Sequence, residues 1–289
     1  MQNRTLHADF GRERVRTALL LAAGTGSRLS PLTDMTPKCL VHVNEFTILE
    51  RLVRSLQDYD FKRLVVVVGH QEDSVRDYLG TKAGGIEISY ITSPFYKTTN
   101  NIYSLWLARK IIDEPFMLIE SDLVFDSQML KGMLIPDRMA VAKIRPWMNG
   151  TTVTVNRSNK VDAFHCGINK LNTSHFKTVN IYSLSRATWR AVCKKLDGYI
   201  SNNLVNGYYE TVFADMVSEG CLSFSPVFFD SSLWYEIDTL DDLRAAETVC
   251  ELFDHQLSTL QFISSSNLAI HSAGLESAVS STSSLKVVH

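Results

Sequence analysis

Thr17-Ala18-Leu19-Leu20-Leu21-Ala22-Ala23-Gly24-Thr25-Gly26-Ser27-Arg28-Leu29 is the stretch on which the fold turns. From Thr17 to Ala23 the residues are small or apolar without alternation, the pattern of a strand buried on both faces of a parallel sheet. The run ends at two glycines, which can turn tightly and bare backbone N–H groups to an anion. Arg28 follows at once, and Pro37-Lys38 lies a short way on. Arginine grips phosphate oxygens in a fork and lysine acts as a point charge, so the loop and its cations suit a triphosphate. Two other phosphate loops are disfavoured: a dinucleotide fingerprint wants a third glycine where Leu29 stands, and a Walker A loop wants Gly-Lys-Ser/Thr. The plain alternative is a turn that merely reverses the chain beside unrelated surface cations.

Working outward, Leu64 to Val68, Ile86 to Ile91 and Phe116 to Glu120 read as further strands. Between them Ile48, Leu49, Leu52, Val53 and Leu56, and then Val75, Tyr78 and Leu79, recur at helical spacing. The sequence therefore predicts an α/β fold, a doubly wound, Rossmann-like and mostly parallel sheet whose ligand site lies at the carboxyl ends of its strands. The second half predicts an inserted, mixed α+β region. Its strands are expected at Ala140–Ile144, Thr151–Val155, Phe176–Tyr182 and Leu222–Phe224, and its helices at Ser185–Leu196, Glu210–Ser218 and Thr239–Glu251. The domain is expected over residues 16–254, in halves 16–135 and 136–254, after an N-terminal extension at 1–15. Residues 255–289 read as a helix end and a Ser-rich flexible tail, or a linker toward another domain.

The bulk numbers bound the function. The 289 residues are 45% apolar with a formal net charge of −2, enough for a sizeable core and without a basic footprint for nucleic acid or an anionic membrane. No apolar run approaches the roughly 18 residues a bilayer span needs, and the first residues lack an apolar targeting core. The five cysteines (Cys39, Cys166, Cys193, Cys221, Cys250) are scattered and lack a C-x-x-C pair. They point to a reducing compartment, and hence the cytoplasm, rather than to a disulfide or zinc framework.

Two carboxylates stand where the sheet would present them. Met117-Leu118-Ile119-Glu120-Ser121-Asp122 is an apolar strand ending in acid, and Tyr235-Glu236-Ile237-Asp238 precedes a predicted helix. Magnesium takes one or two carboxylates plus substrate phosphates, so Asp122 and Asp238 are candidate Mg²⁺ ligands. Each also has a structural reading: Asp238 as the N-cap of the helix near Thr239, and Asp122 as a cap for a helix at Ser127–Met133.

Together these segments resemble the nucleotidyltransferase superfamily, the sugar-nucleotide pyrophosphorylase-like enzymes. The family pattern L-A-A-G-x-G-x-R-L with a following P-K pair stands at Leu21 to Leu29 and Pro37-Lys38, and the resemblance covers roughly Arg16 to Glu251. Thr99-Asn100-Asn101-Ile102-Tyr103-Ser104-Leu105-Trp106 and Tyr235 to Asp238 look like the branch of phosphonate and phosphocholine cytidylyltransferases. The resemblance implies transfer of CMP from CTP to a small phosphonate of the 2-aminoethyl or 2-hydroxyethyl type, with Mg²⁺ and release of pyrophosphate. It implies catalytic roles for Arg28 and Lys38. It further implies nucleotide contacts from Leu21, Ala22, Ala23, Gly24, Thr25, Gly26, Ser27, Asn101, Ser104 and Asp122, with Asp122 and Asp238 on the metal. The half 16–135 would bind nucleotide and the half 136–254 the acceptor.

Candidate acceptor residues are Trp147, Asn149, Lys177, Glu210 and Glu236. Trp147 can face an ammonium by a cation–π contact or fill a core. Glu210 and Glu236 can pair with an ammonium, and Glu210 can equally serve a helix start. Lys177 is a candidate contact for the phosphonate or a surface lysine. Neutral Asn149 stands where related phosphonate enzymes tend to carry acid, which argues against an amino-bearing acceptor. Phosphocholine and a sugar 1-phosphate are the alternative acceptors, and a regulatory or scaffold subunit, or a glycosyltransferase, the alternative classes. Oligomerisation, for instance as a homodimer, is not decided by the residues. The eight histidines form no evident site.

Overall fold

β1 (Thr17–Ala22) is the centre of the molecule, and its unbroken apolar run has a physical cause. Leu19 and Leu21 pack with Val65 and Val67 into the core on one face, while Ala18, Leu20 and Ala22 pack with Leu64, Val66 and Val68 on the other. With both faces covered, neither parity of the strand can be polar, and each fully buried leucine contributes about 1.5–3 kcal/mol.

This is a computed structural model, describing residues 13–165, 175–252 and 254. The expected extension is described only from residue 13; the Ser-rich tail at 255–289 and Cys166 lie outside the described residues. After β1 come β2 (His42–Val43), β3 (Phe46–Thr47), α1 (Ile48–Asp58), β4 (Arg63–Val68), α2 (Glu72–Leu79), β5 (Lys82–Ala83), β6 (Ile86–Thr92) and α3 (Asn101–Ala108). Then follow β7 (Phe116–Glu120), β8 (Leu123–Phe125), β9 (Arg138–Lys143), β10 (Thr152–Val155), β11 (Val161–His165) and β12 (His175–Leu184). α4 (Arg186–Ser201), α5 (Tyr209–Ser218), β13 (Ser225–Phe229) and β14 (Trp234–Glu236) complete the series, before a helix α6 over residues 240–252.

β7, β1, β4 and β6 are parallel neighbours in that order, with β5 antiparallel at one edge. β12 runs antiparallel to β7 and carries β10 and then β11 beyond it. β9 branches from β12 and pairs in parallel with β13. α1 and α2 cover one face and α3, α4 and α5 the other. The chain leaves β1 toward β4 on one side and returns to β7 on the other, which opens a crevice at their carboxyl ends.

Local signals explain the helix starts. Thr47 Oγ1 accepts from Glu50 N at 3.0 Å, and Ser185 Oγ accepts from Thr188 N at 3.1 Å, two N-caps worth about 1 kcal/mol each. The strand expected at Leu222–Phe224 lies instead at Ser225–Phe229. Leu222 N is bonded to Met216 O, closing the end of α5, and Phe224 is buried against Tyr182 and Phe213. The segment Ser127–Met133 is a 3-10 turn whose N-cap is Asp126, accepting from Gln128 N, and not Asp122.

Candidate active site

Of the two loop glycines after β1, Gly26 takes the left-handed conformation. Gly26 has φ of 64°, and an added Cβ would stand 3.1 Å from Lys38 Cβ and 3.2 Å from Thr33 Cγ2, so glycine lets the loop lie against the Lys38 stem. Thr33 Oγ1 fixes the turn by donating to Gly26 O at 2.8 Å. The chain also bends at Gly24, though with a φ outside the left-handed region. A Cβ on Gly24 would meet nothing within 4 Å, and the residue lines the cavity.

That cavity, of about 280 Å³, lies at the carboxyl ends of β1 and β7. Leu21, Ala23, Gly24, Gly26, Ser27 and Arg28 form one wall; Lys38, Asn101, Ser104, Asp122 and Asp238 also line it. Of the loop residues expected at the nucleotide, Ala22 and Thr25 stand apart. Ala22 packs into the core below the opposite face of the sheet, and Thr25 points to solvent.

Three long-range contacts draw the charged residues together. Lys38 Nζ donates to Asp122 Oδ2 at 2.8 Å and to Asp238 Oδ1 at 2.7 Å, and Arg28 pairs with Asp238 Oδ1 at 2.8 Å. Burial opposes the Lys38 charge, but Asp122 and Asp238 outweigh it and hold its pKa above the ordinary value. Asp238 reaches this point because β14 pairs with β8, and Ile237 N donates to Asp122 O at 2.9 Å. It does not cap α6. Thr239 and Asp242 form the cap between them: Asp242 Oδ2 accepts from Thr239 N at 2.8 Å and Thr239 Oγ1 from Asp242 N at 3.2 Å.

The two aspartates fit a magnesium ion. Asp122 Oδ1 is buried with no hydrogen-bond partner, an acceptor oxygen aligned with no donor. Two carboxylates suffice for Mg²⁺ when substrate phosphates complete the shell, and among the described residues no cluster of three or more acidic or soft ligands exists.

Glu120, which also lines the cavity, belongs to a second acidic layer that no sequence pattern assembles. Asn101 Nδ2 donates to Glu120 Oε1 at 3.1 Å while its Oδ1 accepts from Tyr209 N at 3.0 Å, which ties β7 to the start of α5. Burial, reinforced by Asp122 and Glu210, pushes Glu120 well above the usual carboxylate range. Burial likewise lifts Glu210 to about 7, a backbone hydrogen bond and Lys177 pulling it down while Glu236 and Asp122 push it up. Glu210 is 6% exposed, with Oε2 unpartnered.

Lys177 is not a surface lysine. At 3% exposure it is buried, donates to Thr178 O at 2.7 Å and pairs with Glu236 Oε2 at 3.1 Å, while Asn180 Nδ2 donates to Glu236 Oε1 at 3.2 Å. Trp147 is not in a core. It is 54% exposed and, with Asn149, Tyr235 and Glu236, lines a smaller pocket that shares Asp238 with the large cavity. Tyr96 and Tyr208, at the mouth of the large cavity, carry no sequence signal that marks them; only the fold brings them there.

A parallel sheet with a glycine loop, two cations and two aspartates at its switch point defines a nucleotide-handling α/β protein. The chain belongs to the nucleotidyl transferase family, whose model matches residues 17–161, half of the chain. It is 32% identical over 248 residues to the CMP-5'-(3-aminopropyl)phosphonate synthase of Streptomyces rubellomurinus, a match covering 80% of this chain and 38% of that protein. It is also 32% identical over 108 residues to the choline-phosphate cytidylyltransferase of Streptococcus pneumoniae, covering 37% of this chain and 45% of the relative. The chain thus spans less than half the length of these two relatives. Among solved structures, the CTP:phosphocholine cytidylyltransferase from Streptococcus pneumoniae superposes with a TM-score of 0.69 at 24% identity, covering 82% of this chain and 100% of that one. That likeness is one of fold. No helix among the described residues is long and apolar enough to cross a membrane.

Proposed function

We propose that the protein is a magnesium-dependent cytidylyltransferase that moves CMP from CTP onto a small phosphonate and releases pyrophosphate. The observation that carries this reading is the convergence of Arg28, Lys38, Asp122 and Asp238 at the glycine loop, beside a second pocket that shares Asp238. The relatives named as a CMP-phosphonate synthase and a choline-phosphate cytidylyltransferase support cytidine as the base.

In the reaction an ionised phosphonate oxygen attacks the α-phosphorus of CTP in line. A new P–O bond forms as the bond from the α-phosphorus to the oxygen bridging toward the β-phosphate breaks, and that electron pair leaves on pyrophosphate. Because the attacking oxygen is already ionised at neutral pH, no general base is needed. The work left to the protein is positioning and charge neutralisation. The backbone of Gly24 to Ser27 cradles phosphate oxygens, and Arg28 and Lys38 stabilise the charge that gathers on the leaving group. Asp122 and Asp238 would hold the magnesium, which when bound would neutralise charge on the phosphates.

The acceptor sits in the smaller pocket, its phosphonate turned toward Asp238's side of the cavity. Asn149 contributes no charge there, and Asp242 is occupied by the α6 cap. Negative charge facing the acceptor's far end therefore falls to Glu236, beside the exposed face of Trp147. That combination suits an ammonium, so the acceptor is an aminoalkylphosphonate before a hydroxyalkyl one. Phosphocholine is the second reading, favoured by the same exposed indole.

A pyrophosphate-release screen with Mg²⁺ tests the proposal, crossing CTP, UTP, GTP, ATP and dTTP against aminoethylphosphonate, aminopropylphosphonate, hydroxyethylphosphonate, phosphocholine and glucose 1-phosphate. CTP with an aminoalkylphosphonate is the expected pair. UTP or dTTP with the sugar phosphate overturns it.

A further inference from the structure

The inference rests on the reading of Asp122 and Asp238 as divalent-cation ligands. One side chain already bridges them: the Lys38 ammonium, 2.8 Å from Asp122 Oδ2 and 2.7 Å from Asp238 Oδ1. Arg28 lies 2.8 Å from the same Asp238 oxygen, so two carboxylates meet two cations and the cluster is electrically balanced. A divalent ion added alone would bring two uncompensated positive charges to within a few ångströms of an ammonium, where like charges repel strongly. A triphosphate changes that balance. Its oxygens attract Lys38 and Arg28 and bring the negative charge that a divalent ion neutralises.

The geometry around Lys38 supports such an exchange. Its stem packs against the phosphate-reading loop at Gly26, so the ammonium lies within the loop's own neighbourhood. The Arg28 side chain is 66% exposed and has open space to turn in. The Lys38 ammonium contacts only one oxygen of Asp122, and the other, Oδ1, is buried and unpartnered. The carboxylate retains coordination capacity that the lysine does not use.

We propose that Lys38 is an internal counter-ion that occupies the metal carboxylates, so that a divalent cation binds Asp122 and Asp238 only once a triphosphate has drawn the ammonium away. Lysine and metal are alternative occupants of one carboxylate pair, and the triphosphate decides between them. Metal binding is thereby conditional on nucleotide, and free divalent cation does not load the empty enzyme.

The test is Mn²⁺ binding to the full chain followed by electron paramagnetic resonance, a readout independent of turnover. Without nucleotide, the wild type is expected to bind Mn²⁺ no better than a Lys38→Met, Asp122→Asn double variant does. Lys38→Met alone is expected to gain one nucleotide-independent site, tighter by on the order of tenfold or more, in the range of ordinary coupling between sites. Lys38→Gln serves as a second neutral variant should the methionine disturb folding, and Lys38→Arg is expected to keep the block. Wild type that binds Mn²⁺ without nucleotide as tightly as Lys38→Met overturns the proposal while leaving the metal reading intact. Absence of a site in both neutral variants, and in wild type with α,β-methylene-CTP, overturns the metal reading itself and the proposal with it.

Discussion

Replacing Glu210 by glutamine removes a buried acid, 6% exposed, and its effect should depend on pH. Burial lifts this carboxyl from an ordinary 4.5 to about 7. A carboxyl whose pKa rises on folding helps stability fully below its unfolded value, and that help is lost as pH climbs through the folded one. Between pH 4.5 and 7 the wild type should lose up to about 3 kcal/mol on this account, an upper bound because Glu120 and Glu236 titrate with it. Glutamine carries no such penalty. Thermal unfolding at pH 5, 6, 7 and 8 should show Glu210→Gln gaining on wild type as pH rises, by up to roughly 6–12 °C for a domain of this size. A difference between the two proteins that stays flat across the series would refute the reasoning, since a purely packing effect has no reason to follow protons.

Further outcomes are expected. Gly69→Ala places a Cβ 2.9 Å from Ala23 O and from the Tyr96 ring, and chemical denaturation should show a loss of about 1–3 kcal/mol. Asp122→Asn should lower pyrophosphate release by about 100-fold or more with the circular dichroism spectrum unchanged; near-normal turnover would remove Asp122 from the site. Thr239→Ala breaks the α6 cap without touching Asp238, so it should cost about 1 kcal/mol in stability and little in kcat.

The central sheet was legible because both faces of β1 and β4 are buried, and an unbroken β-branched run such as Val65 to Val68 suits little besides a strand covered on both sides. The glycine loop was legible because its cations follow within a few residues. What could not be read shares one property, dependence on distant partners. α3 carries apolar residues on most sides, since it lies between the sheet and α4, so no clean helical stripe marks Asn101–Ala108. β8 and β14 are three residues each and pair across more than 100 positions of sequence. Nothing near Lys177 announces that β12 carries it inward to Glu236, and a lysine's default is the surface. Asp238 could be read as cap or ligand until Asp242 was seen to close the helix instead.

The bond from Lys38 to Asp238 spans 200 positions of sequence. A ribosome delivers the glycine loop early and Asp238 only after almost the whole domain has emerged, and chains fold from the N-terminus as they are made. β1, β4, β6 and β7 can therefore assemble while Lys38 still lacks its second carboxylate. A nascent chain released before β14 would own a sheet and a glycine loop but only one of the two aspartates, so the charged cluster closes only once Asp238 has emerged.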